Sequence, residues 1–66
     1  MTDERLRGAL LDLMEERDPN HVPETVLVAL TEESPTRVRY ALEILEDTGF
    51  AIRINSPQGD CWCRNV

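Results

Sequence analysis

Leu6, Ala9, Leu10, Leu13 and Met14 recur at the three- and four-residue spacing that gathers side chains on one side of a helix. Thr2 supplies a cap and Asp3 and Glu4 an acidic first turn, so an amphipathic helix is predicted from there to near Arg17. The segment Asp18-Pro19-Asn20-His21-Val22-Pro23 stops it, because proline cannot continue the helical ladder and Asn and Asp favour turns. A second helix opens at Pro23 or Glu24 and carries Val26, Leu27, Ala29 and Leu30 before Thr31-Glu32-Glu33 turns the chain. Ser34 followed by Pro35 is a cap and a first-turn proline, and the helix predicted over 35–48 bears Val38, Ala41, Leu42 and Leu45 on one arc and ends at Thr48-Gly49. The period then changes to two, with Phe50, Ile52 and Ile54 separated by Ala51 and Arg53. Asn55 to Asp60 is rich in turn formers and Cys61 to Asn65 can return beside the first strand, so 50–65 reads as a β-hairpin. The predicted class is α+β: three helices followed by a C-terminal hairpin.

Sixty-six residues suffice for one domain, 1–66, and the pattern holds no linker, repeat or low-complexity tract. With 41% hydrophobic residues but one Phe, one Trp and one Tyr, the core must be aliphatic and its margin thin, which makes oligomerisation an expectation. No apolar run approaches the roughly 18 residues of a membrane span, and Met1-Thr2-Asp3-Glu4-Arg5 is unlike a secretory leader, so a cytoplasmic chain with no membrane partner is expected. Thirteen acidic residues face seven basic ones, all of them Arg, giving a formal charge of −6. That balance ordinarily argues against nucleic acid, which needs a basic footprint. Acid-rich, lysine-free composition looks like that of salt-accumulating archaea, however, and at molar salt charge fields are screened within about 3 Å, so local charge outweighs net charge.

The most specific stretch is Val22-Pro23-Glu24-Thr25-Val26-Leu27-Val28-Ala29-Leu30 followed by Ser34-Pro35-Thr36-Arg37-Val38-Arg39-Tyr40-Ala41-Leu42-Glu43-Ile44-Leu45-Glu46-Asp47-Thr48-Gly49-Phe50. Together with the hairpin it resembles the small winged helix-turn-helix regulators of haloarchaea, halophage-repressor-like and MarR-like, over nearly the whole chain. The resemblance implies a winged helix, double-stranded DNA as partner and transcriptional control, with helix 35–48 in the major groove and the hairpin as wing. The chain departs from the family in Cys61-Trp62-Cys63-Arg64, where a tyrosine-arginine strand is usual, and the dimerisation helix that follows the hairpin in larger relatives is not expected here.

On the helical wheel Thr36, Tyr40, Glu43 and Asp47 oppose the apolar arc, with Arg37 and Arg39 flanking them. Recognition helices read DNA mainly with their N-terminal residues, so Ser34, Thr36, Arg37, Arg39 and Tyr40 are the candidate contacts. Arg37 is the sharpest, since a cation in the first turn opposes the helix dipole and a phosphate or guanine there would explain it. Arg39 and Tyr40 have the alternative of covering the seam between helices. In the wing, Arg53, Gln58 and Arg64 are candidates for phosphate or minor-groove contact. Glu32, Glu33 and Asp60 count against DNA. A second hypothesis is therefore a protein-interaction winged helix docking through its acidic surface and Trp62. A positive patch where the third helix meets the wing would favour DNA, and a negative one a protein partner.

Cys61 and Cys63 alternate with Trp62 and share one face of their strand. Only His21 could join them, so no intrachain zinc site is expected, and residues two apart in a strand suit a disulfide poorly. A zinc shared across a dimer and redox sensing are lesser readings; the favoured one is that the thiols fill the underside of the wing, leaving Trp62 exposed unless the faces are reversed and it packs on Phe50. His21 receives no role. Helix one has a surplus of apolar surface, and a homodimer through it would use Arg7, Leu11 and Met14. Catalysis is not expected, because Ser34 has no nearby base and no phosphate loop is present; no cofactor or metal is called for.

Overall fold

A computed structural model describes residues 2–18 and 20–65. Among these the elements run α1 (Asp3–Glu16), β1 (Val22–Pro23), α2 (Glu24–Thr31), α3 (Pro35–Asp47), β2 (Ala51–Ser56) and β3 (Gly59–Arg64). This is the α+β winged-helix layout, three helices followed by an antiparallel hairpin. No helix among the described residues is long and apolar enough to cross a membrane.

The helices begin where local chemistry dictates. The Thr2 hydroxyl accepts the Arg5 N–H at 3.2 Å, and the Ser34 hydroxyl accepts the Arg37 N–H at 3.2 Å with Pro35 in the first turn of α3. Pro19, one of the residues expected to stop α1, lies outside the described residues. Between α2 and α3 the chain turns on Glu32, held left-handed at φ 57° while its N–H bonds the Val28 carbonyl. Glycine is the usual residue there, so the tight turn is formed at some backbone strain. Gly49, at φ 85°, ends α3 in the conventional way.

Two features of the sheet differ from expectation. The strand order is β1-β3-β2, so β3 is central, and Val22 and Pro23 pair with Trp62 and Cys61. A two-residue strand is too short to show a period, and its partner lies some forty positions away, so the segment reads locally as a turn. Phe50, predicted in the strand, precedes β2 instead: its N–H bonds the Leu45 carbonyl at 2.8 Å as part of the helix terminus, and its ring is exposed.

The faces of the hairpin are also reversed. Trp62 is wholly buried, in the core formed with Leu6, Leu10 and Met14 of α1, Leu27 of α2, and Val38 and Leu42 of α3. Register then pairs Arg53 with Trp62, so Ala51 and Arg53 share its inward face while Ile52, Ile54, Cys61 and Cys63 lie on the outer one. Trp62 is the largest fully buried side chain, and that gain outweighs leaving Ile52 exposed and Ile54 half-buried on the outer face. The thiols therefore do not fill the underside of the wing. Met14 corrects a second expectation: it is fully buried in the core and cannot serve a dimer face, which leaves Leu11, half-buried at the core's edge, and Arg7.

Candidate nucleic-acid interface

The first two turns of α3 present Ser34, Thr36 and Tyr40 to solvent, with Arg37 half-buried beside them. Thr36 and Tyr40 line a shallow depression with Pro35, Glu43, Glu24 and Arg39. A second depression, between the start of α2 and the wing tip at Gln58 and Gly59, shares Glu24 and Arg39 as its wall. The two depressions adjoin at the Glu24–Arg39 pair, which lines both. Gln58 is exposed at the tip, where Gly59 at φ 123° permits the turn that β-carbon-bearing residues adopt only under strain. The Ser34 hydroxyl is engaged as the cap of α3, so its contribution to any ligand is limited by that bond.

Each candidate arginine is held by carboxylates. Arg37 donates through Nη1 to Glu33 at 2.5 Å and through Nη2 to Asp3 at 2.9 Å, tying the start of α3 to the start of α1. The hydrogen bond it donates to Asp3 raises its pKa above the usual value, against partial desolvation and with the charge of Glu33 adding to the rise. A cation in the first turn is thereby accounted for within the chain, by two anions rather than by a bound phosphate. Arg39 donates through Nη1 to Asp60 and to Glu24, both at 2.7 Å, with Glu43 3.5 Å from its Nε. Its pKa is raised strongly, first by the hydrogen bond to Asp60 and then by that to Glu24.

Arg53 lies 5.2 Å over the Trp62 ring centroid and donates to Glu46 at 2.9 Å, which fastens the wing to the later half of α3. Arg64 pairs with Glu15 of α1 at 3.1 Å, at the end of β3 remote from the tip. Thr36 and Tyr40 line one of the two depressions that meet at Arg39 and Gln58 lines the other, Arg37 is tied instead to the start of α1, and Arg53 and Arg64 take packing and pairing roles elsewhere. At the seam between α3 and the wing, Arg39 and Arg53 face Glu24, Glu43, Glu46 and Asp60, two more carboxylates than guanidiniums. Of the acids expected to oppose DNA, Glu33 and Asp60 are turned onto arginines, and Glu32 is exposed in the turn.

Sequence reasoning missed Glu24, the hub of this surface. Its Oε1 accepts both the Arg39 guanidinium and the Trp62 indole N–H, at 2.7 and 2.9 Å, joining α2, α3 and β3. An acid in a first helical turn signals only a favourable dipole; its partners, 15 and 38 residues away, leave no local mark. Comparison of the chain with family models, curated proteins and solved structures finds no match.

Proposed function

We propose that the protein is a sequence-specific DNA-binding regulator of a halophilic archaeon or its virus, reading the major groove with the first two turns of α3 and flanking it with the wing tip. The observation that carries this reading is the run of exposed Thr36 and Tyr40 with half-buried Arg37 at the N-terminal end of the third helix of a winged-helix layout. Exposed ion pairs such as Arg37–Asp3 are weak because solvent and salt screen them, so a phosphate or a guanine edge can take the carboxylate's place. Arg39 and Arg53, each fixed by inward partners, set the angle of the wing instead of touching DNA. A homodimer through Arg7 and Leu11 of α1 would match a two-fold related site.

One observation favours a second reading. The surplus of carboxylate at the α3–wing seam repels phosphate and suits a basic protein surface, which makes a protein-interaction module the alternative. Amide shift perturbation by a diverse DNA pool in molar potassium chloride separates the two, comparing the native chain with Arg37→Ala. Shifts at Thr36 to Tyr40 and at the wing tip that vanish in the variant support the DNA reading. A folded protein that no DNA perturbs overturns it and leaves the partner reading.

A further inference from the structure

The two cysteines were expected to pack under the wing, and the structure puts them elsewhere. Both are free, both are half-buried, and both lie on the outer face of the central strand β3, directed away from the core that holds Trp62. Register sets Ile54 and Pro23 on either side of Cys61 and Ile52 beside Cys63, so the thiols sit in an apolar strip of open sheet.

From this placement we propose that Cys61 and Cys63 form a two-thiolate site for a soft, closed-shell monovalent cation, Cu(I). Residues two apart in a strand have β-carbons about 6.8 Å apart, which exceeds the roughly 3.5–4.5 Å a disulfide needs. The same spacing admits a metal between the sulfurs: two metal–thiolate bonds in line, each of about the 2.3 Å of a zinc–thiolate bond, span roughly 4.6 Å, which thiols leaning towards each other along the strand can meet. Among the described residues no group of three or more His, Cys, Asp or Glu side chains is placed to hold a metal, and His21, just before β1, does not complete one. Among the described residues a tetrahedral zinc or an octahedral hard cation thus lacks a full ligand set at this place, whereas Cu(I) is selected by soft thiolates and is content with two.

Binding breaks two S–H bonds and forms two Cu–S bonds. Copper stays Cu(I), no electron is transferred, and two protons leave to solvent, so the chain gains one unit of negative charge per metal. The flanking isoleucines and proline line the linear pair with apolar side chains and supply no competing ligand. The site stands independently of what α3 contacts.

The test is an anaerobic titration of the intact chain with Cu(I) against the chromophoric chelator bicinchoninate, with proton release measured in parallel and X-ray absorption on the loaded protein. One copper withheld per chain, two protons released, two sulfur neighbours and an unchanged monomeric or oligomeric mass are the expected results. Cys61→Ser and Cys63→Ser should each lose stoichiometric uptake while circular dichroism and Trp62 fluorescence remain native, since both side chains lie outside the core. Retained uptake in either single variant overturns the proposal, as does one metal held by four sulfurs between two chains. The absorption and proton measurements on the native chain decide the matter even if a variant fails to fold.

Discussion

Removing the Glu24 side chain should loosen three elements at once. In Glu24→Ala the indole N–H of the fully buried Trp62 loses its acceptor, and an unsatisfied buried donor costs about 1–3 kcal/mol. Arg39 keeps Asp60 and Glu43, and its pair with Glu24 is partly exposed, so that share adds only about 0.5 kcal/mol. A loss of about 2 kcal/mol follows, a large fraction of the roughly 3–10 kcal/mol expected for a chain of this length. For a domain of this size it corresponds to a fall in Tm of about 8–16 °C. Glu24→Gln retains an oxygen acceptor and should lose about 0.5 kcal/mol. Thermal and urea unfolding by far-ultraviolet circular dichroism measure both. In a Trp62→Phe background, where no indole N–H exists, the alanine substitution should cost no more than the ion-pair share, about 0.5 kcal/mol. Equal losses for Ala and Gln, or an undiminished cost in the Phe background, would refute the hub role of Glu24.

Other outcomes follow from the same geometry. Ser34→Ala removes the cap of α3 and should cost about 1 kcal/mol, a fall of about 4–8 °C in Tm by circular dichroism, with an unchanged Tm counting against the cap. If α1 forms the dimer face, the native chain sediments as a dimer and Leu11→Glu as a folded monomer; a monomeric native chain would remove the dimer. Arg37 and Arg39, with pKa values raised above an already high reference, stay protonated in any workable alkaline buffer. Sign and window agree: the contribution of a raised cation is complete below its unfolded pKa and lost only above its folded one. Unfolding midpoints should therefore show no loss assignable to these two arginines between pH 7 and roughly pH 10, well below the ordinary arginine range.

How much of this surface was legible differs from element to element. Helices α1 and α3 announce themselves because their apolar spacing and their caps, Thr2 and the Ser34-Pro35 pair, act within one or two turns of chain. The candidate contacts Thr36 and Tyr40 were equally legible, since an exposed side of a helix is the complement of its buried stripe. Alternation located the hairpin as well. It did not say which face turns inward, because a strand has two faces and period alone gives them no sign.

The sequence by itself determined three helices, a hairpin, the aliphatic members of the core and a chain whose basic residues are all arginine. Those properties depend on neighbours a few positions apart or on composition. Only the tertiary structure decided that Trp62 enters the core, that β1 adds to β3, that Met14 is buried, and that Arg37, Arg39, Arg53 and Arg64 each hold a carboxylate. Each of these joins residues distant along the chain. Packing selected them by the area buried and the polar groups satisfied when all the elements close together, a sum that no local window contains.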